Sequence, residues 1–351
     1  MPGVPQNPHN SKRRGNTNLM FLCQNHATTS AVVNMIQIDR LRVALLGLTL
    51  VGYVATFSGA AIVGLGIDYA SLLPTLLLML VSFLALNAYT WWRGMPRLRA
   101  VSETLFGGVA LAIPVLLATY LAMRANMPLA DTTLMALDSY LPFDWHAFIA
   151  FVDNHPFLAS ALWLSYQSFA TQLLLMPMLL CLLGRETRAY QFVIAYALIG
   201  FVAAVIAIWY PAMSAYSAYG IDPSSLKNIN THFSYAFLRE FDGVRTDPSF
   251  VFGMDKAAGI VTFPSVHTAV AILCIWGAWT TKWLRYPMFV LNLLMAASTV
   301  SHGSHYFVDV LAAVPLAFIC IYLAALVPTF SMPIGYPIRA MNPSSTRGRA
   351  D

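Results

Sequence analysis

The chain has 351 residues, 58% of them hydrophobic and only 10% charged, against about 25% charged in a soluble domain. A soluble fold of this length needs more surface charge, and the apolar residues fall in runs of about twenty, each long enough to cross hydrocarbon. The formal net charge of +5 comes without a basic run interleaved with aromatics, so nucleic acid is not an implied partner.

Residues 1–42 are polar and irregular, and read as a disordered cytoplasmic tail. Lys12, Arg13 and Arg14 are followed by too short an apolar stretch, Asn18 to Cys23, to make a signal peptide. Met35, just ahead of Ile36, is a candidate initiator. Mass spectrometry of the native N-terminus checks this: the expected result is no peptide from residues before Met35.

Eight apolar segments follow, at 43–66, 70–92, 103–123, 157–183, 190–210, 265–281, 286–301 and 307–328. The expected fold is therefore all-α, a polytopic transmembrane bundle of about eight spans. Trp91, Trp92, Trp209, Tyr210, Trp279, Trp283 and Tyr286 fall near segment ends, as interfacial anchors do. With both termini cytoplasmic, the outer face keeps only Arg124, Lys227, Arg239, Arg245 and Lys256 out of 20 Lys and Arg, which is the positive-inside bias. Residues 329–351 form the second cytoplasmic tail. The short loops and the lack of sorting signals point to a bacterial inner membrane with a periplasmic site.

Two long outer loops result, at 124–156 and 211–264, and a short outer turn at 302–306 joins the last two spans. The first loop mixes apolar residues with Asp138, Asp144 and Asp153, which suits short helices lying on the outer leaflet; its His146 and His155 read as surface residues. Tyr166, Gln167 and Gln172 in the fourth span read as interhelical hydrogen-bonding groups. Cys181, Cys274 and Cys320 lie in apolar runs and behave as small hydrophobes, and with Cys23 they make no framework spacing.

Ionisable residues at the membrane edge default to functional candidates, and two clusters qualify. In Phe263-Pro264-Ser265-Val266-His267, Ser265 is suited to cap the sixth span and His267 falls in its first turn. Free backbone N–H groups and the positive end of the helix dipole suit a phosphate there. In His302-Gly303-Ser304-His305-Tyr306-Phe307-Val308-Asp309, His305 and Asp309 are four apart and meet on one face if the stretch is helical. The short inner turn at Lys282 and Arg285 makes the sixth and seventh spans antiparallel neighbours, so His267 and His305 share one depth. Two histidines and a carboxylate there are the parts for displacement at phosphorus: one His attacks, one protonates the leaving oxygen, and the carboxylate orients the nucleophile. The plainer alternative is a capping Ser and a buried His–Asp pair that only stiffen the bundle.

Pro264-Ser265-Val266-His267 and His305-Tyr306-Phe307-Val308-Asp309 resemble the second and third signature motifs of the type 2 phosphatidic acid phosphatase (PAP2) superfamily. The likeness is closest to its inositol phosphorylceramide synthase-like branch, where the last motif reads His-Tyr-x-x-Asp. The resemblance implies a six-span core over 101–328, with two additional spans in 43–100. It implies His305 as the nucleophile that forms a phosphohistidine, Asp309 as its orienting group and His267 as the general acid, with no metal or other cofactor. The implied partners are a membrane lipid carrying a phosphate or phosphodiester and, for a phosphotransferase, a polar alcohol acceptor.

The sequence departs from the wider pattern at Ser298-Thr299, where a Ser-Arg pair is usual, and lacks a clear first motif, because Lys256 is followed by Phe263-Pro264 instead of Arg-Pro. Arg239, Arg245 and Lys256, together with Ser265, are the candidates left to bind the phosphate. Two other classes stay open. His267, His302, His305 and Asp309 have ligand chemistry for zinc, and a transporter or non-catalytic scaffold is the third reading, although its polar groups usually sit at the midplane.

Overall fold

The computed structural model describes residues 9–327, with side chains from Met35 onward. The chain opens with three long helices, α1 (His9–Val63), α2 (Tyr69–Trp92) and α3 (Pro96–Arg124). Two short helices, α4 (Asp131–Ser139) and α5 (Trp145–Asp153), precede the long pair α6 (Pro156–Leu182) and α7 (Glu186–Trp209). The loop after α7 carries α8 (Ala215–Ala218), α9 (His232–Ala236) and α10 (Leu238–Thr246), and α11 (Val266–Ala278), α12 (Lys282–Ser301) and α13 (Phe307–Leu326) close the bundle. Two two-residue strands, β1 (Gly66–Ile67) and β2 (Val251–Phe252), pair in parallel and tie the α1–α2 turn to the long loop.

All eight expected spans coincide with helices. Among the described residues, five are long and apolar enough to cross a membrane: the Met35–Val63 part of α1, α2, α3, α7 and α13. A sixth span arises if α6 is taken with α5, from which it bends by 106°. α11 has only 13 residues, about 20 Å at 1.5 Å per residue, and enters the bundle from a buried end. α12 is less apolar because Asn292, Ser298, Thr299 and Ser301 are turned into the protein.

The N-terminal expectation needs correcting. α1 begins at His9, so residues 9–42 are not irregular. No Pro or Gly occurs between Asn16 and Leu46, and once the span has nucleated a helix, each further residue adds a hydrogen bond without a new nucleation cost. Residues 1–8 and the tail expected at 329–351 lie outside the described residues.

α7 is the hub, packed against α1, α3, α6, α11 and α13. Lipid tails give helices no hydrophobic reason to associate, so close approach of backbones must hold them. α7 accordingly buries Ala195, Ala197, Gly200, Ala203, Ala204 and Ala207. At Gly200 the approach to α3 is so tight that a Cβ would collide with the Val115 side chain. α2 packs against α3 and leaves Leu73, Leu77, Leu78 and Leu84 exposed, as a lipid-facing helix does.

Gly200→Val is expected to destabilise the protein by about 1–3 kcal/mol through overpacking. Gly47→Val, where a Cβ meets nothing within 4 Å, is expected to change stability by less than about 0.5 kcal/mol. Thermal unfolding of both variants in one detergent checks the pair.

Candidate active site

α12 ends at Ser301, and the chain must turn within five residues to start α13. Gly303 makes the tightest part of that turn: a Cβ would lie 2.7 Å from the Thr299 carbonyl oxygen, 2.9 Å from the Tyr166 ring and 3.0 Å from the His305 ring. Ser304 follows at φ 58°, a left-handed conformation that costs a non-glycine residue roughly 1–2 kcal/mol. Three contacts to α8 and its lead-in hold it there. The Ser304 carbonyl accepts from the Ala215 amide at 2.9 Å, its Oγ accepts from the Tyr216 amide at 2.9 Å, and its hydroxyl bonds that of Ser214.

The next residue is His305, only 4% exposed. Its Nδ1 lies 3.0 Å from Asp309 Oδ2, which also accepts the Tyr306 amide at 3.1 Å. The pair forms as the four-residue spacing implies, but not along one helix. α13 starts at Phe307, so His305 sits in the turn and Asp309, in the first helical turn, reaches back to it. With Nδ1 held, Nε2 is the ring nitrogen left for chemistry. Asp309 is fully buried, and its Oδ1 has no partner among the described residues.

His267 arrives from the other side. Ser265 caps α11 as its sequence position implies, its Oγ accepting from the Thr268 amide at 3.4 Å. The Ser265 amide donates to the Asp309 carbonyl at 3.2 Å, which pins the start of α11 to the start of α13. Thr268 and Thr299 hydroxyls meet at 3.4 Å, joining α11 to α12. The His267 ring stacks on Tyr166, with centroids 4.3 Å apart and planes 10° apart, and packs on Phe169 at 4.1 Å. The same Tyr166 ring also lies 2.9 Å from where a Gly303 Cβ would stand, so it meets the turn that carries His305. Of the polar residues in α6, Gln172 does bond across helices, accepting from Asn292 Nδ2 at 2.8 Å. Tyr166 is instead part of the wall against His267.

The 124–156 loop does form two short helices, α4 and α5, and they pack over the 302–309 turn, against α8, α12 and α13. Asp138 accepts the Phe307 and Val308 amides at 2.8 and 2.7 Å and so takes up the donors at the start of α13. Asp131 accepts the Tyr306 hydroxyl at 2.8 Å and the Met213 amide. Trp145 donates its ring N–H to the His305 carbonyl at 3.1 Å. Burial pushes the Asp138 carboxyl above its ordinary value, against the pull of its two amide donors. Asp131 and Asp138 are seven apart, two turns of one helix face; that spacing was the available signal, masked by apolar neighbours that suited a surface helix. His146 and His155 are exposed, as expected.

None of the basic candidates joins the histidines. Among the described residues, Arg239, Arg245 and Lys256 make no polar contact with His267, His305 or Asp309. α10 packs Phe241 and Val244 into the protein, which directs Arg245 to the Met127 carbonyl at 2.9 Å and over the Phe241 ring. Arg239 and Lys256 are exposed. His302 is buried, bonds Ser301 Oγ through Nδ1 at 3.0 Å, and is pushed down to about 4 by burial. No group of three or more His, Cys, Asp or Glu among the described residues is arranged to hold a metal ion.

Asp138→Ala leaves two amides of α13 unpaired beneath α4 and α5, an expected loss of about 1–3 kcal/mol. Unfolding in detergent measures it, and a loss below 0.5 kcal/mol would mean the α4 latch carries no weight.

The comparison with known proteins agrees with this geometry. A model of the PAP2 superfamily matches residues 132–323, more than half of the chain and from α4 into α13. No curated protein and no solved structure matches. Long apolar helices make the chain an integral membrane protein, and the family brings phosphatase-type chemistry on phosphate esters. The chain belongs to the PAP2 superfamily.

Proposed function

We propose that this protein is a membrane phosphatase or phosphotransferase that acts on a lipid phosphate or phosphodiester through a phosphohistidine at His305. The observation that carries the reading is the 3.0 Å contact between His305 Nδ1 and Asp309 Oδ2, with the start of the His267 helix tied to Asp309 through the Ser265 amide. Asp309 keeps the proton on Nδ1 and the lone pair on Nε2. Nε2 attacks phosphorus in line; as the P–N bond forms, the bond to the leaving oxygen breaks and His267 supplies that oxygen with a proton. His267 then takes a proton from water or an alcohol, whose oxygen attacks phosphorus and breaks the P–N bond. Water gives a phosphatase, and a polar alcohol gives a phosphotransferase. The missing arginine at Thr299 favours the inositol phosphorylceramide synthase-like branch, hence transfer.

Phosphate charge needs fixed donors in such a step. Asp138 occupies the amides at the start of α13, whereas the Val266 and His267 amides open α11 without an intrahelical acceptor. These, with Ser265, are the proposed anion site; Arg239, Arg245 and Lys256 would reach it only after a rearrangement of the outer loop. We assign the core to α3, α6, α7 and α11–α13, with α1 and α2 as additions. The excess of Arg and Lys on the opposite side supports a periplasmic site in a bacterial inner membrane.

Purified protein, assayed with chelator present against a panel of lipid phosphates and against head-group exchange, tests this. His305→Ala is expected to lose all measurable turnover, and His267→Ala to lose about 10²–10⁴-fold. Acid-labile phosphate on the parent and none on His305→Ala identifies the intermediate. Full activity in His305→Ala, or loss on chelation, would defeat the proposal.

A further inference from the structure

A second cavity is formed mainly by helices that precede the family-matched region. Between α1, α2 and α3 is a cavity of about 590 Å³, within the roughly 300–1,000 Å³ of pockets that enclose small ligands. Leu45, Leu76, Met79, Phe83 and Phe106 line it, and its polar groups gather at one end. Along α3 the lining runs from Arg99 to Ala110, about 16 Å of helix at 1.5 Å per residue. That is close to half of the about 30 Å hydrocarbon thickness, the depth of a single leaflet.

The polar end is charged and buried. Glu103 accepts from Arg42 Nε at 2.6 Å and from Arg99 Nε at 2.7 Å, and also from the Tyr190 hydroxyl. Arg42 spends a further nitrogen on Asp39 at 2.8 Å. Arg99 is different: only its Nε is bonded, its side chain is 38% exposed, and its two terminal nitrogens have no partner among the described residues. It lies at the start of α3, in a stretch where Arg93, Arg97 and Arg99 occur with no acidic residue from Trp91 to Ser102. Arg97 is 3.8 Å from Glu186; these ion pairs balance, with Asp39 and Glu103 set against Arg42 and Arg99, and Arg93 beside the groove leaves this end one charge positive.

We infer that this groove holds one anionic phospholipid of the cytoplasmic leaflet, an acyl chain lying along α1–α3 and the phosphate on the terminal nitrogens of Arg99. Depth selects a lipid tail, the apolar lining excludes a polar solute, and the arginine mouth selects a negative head group. Because Arg42, Glu103 and Tyr190 join α1, α3 and α7 at the floor of the groove, the occupant braces the two N-terminal helices against the core.

The test uses the full chain in mild detergent, titrated with phosphatidylglycerol or phosphatidylcholine and read by native mass spectrometry. The parent is expected to retain one phosphatidylglycerol and to bind phosphatidylcholine at least about tenfold more weakly, the scale of one charge-assisted contact. Arg99→Gln and Ala110→Phe are each expected to weaken phosphatidylglycerol about tenfold or more. Arg99 also supports Glu103, so Ala110→Phe, which fills the far end and touches no charge, separates lost binding from a disturbed cluster. Gel filtration and helix content confirm that each variant is folded. Unchanged phosphatidylglycerol binding in either variant, or equally tight phosphatidylcholine in the parent, overturns the proposal.

Discussion

A carboxylate buried at the edge of a membrane is costly unless its neighbours are arranged around it. Asp309 is such a group, and its Oδ2 is met by His305 Nδ1 and the Tyr306 amide. Those two bonds require the chain to turn sharply before α13, and the turn in turn requires Gly303 and a left-handed Ser304. Ser304 keeps that conformation because α8 and Ser214 bond to it, and α8 stays in place beneath Trp145 and Tyr235. The imidazole that faces the proposed substrate is thus the end of a chain of constraints that begins with one acid.

The same economy explains the division of the molecule into a layer of long apolar helices and a cap of short ones. Within the membrane layer, small residues on α7 set the spacing and few polar groups are needed. In the cap the order is reversed: Leu134, Trp145, Ile149 and Val152 form a modest apolar cluster with Tyr216 and Tyr306, while carboxylates and hydroxyls satisfy the backbone of the turn. Hydrogen bonds supply what a thin layer cannot gain from burial.

The long helices were legible because a period-free apolar run of twenty residues has few other uses, although five or six of the eight are long and apolar enough to cross a membrane. The two histidine motifs were legible because polar residues are scarce there, and Ser265, His267, His305 and Asp309 do converge. What could not be read was long-range: nothing local says that Asp131 and Asp138 would serve Tyr306, Phe307 and Val308, since a short helix with acids on one face and apolar residues beside them suits a membrane surface equally well. The basic candidates were chosen by closeness in sequence to His267, and the packing face of α10 turns Arg245 elsewhere. The helical N-terminus was missed because polar composition was taken as disorder, where the absence of Pro and Gly after Gly15 mattered more.

The bonds that frame His305 join residues far apart in the chain: Trp145 to His305 across 160 positions, Asp138 to Phe307 across 169 and Asp131 to Tyr306 across 175. Contacts of such separation form late, after the loop between them has closed. During synthesis the first seven apolar segments leave the ribosome before Asp309 does, so Asp138 is made long before the Phe307 and Val308 amides that it accepts. Arrival of the last span supplies α13 and its amides, and with them the partner that closes the cap. The His305–Asp309 pair is therefore framed only once α13 has docked against α4.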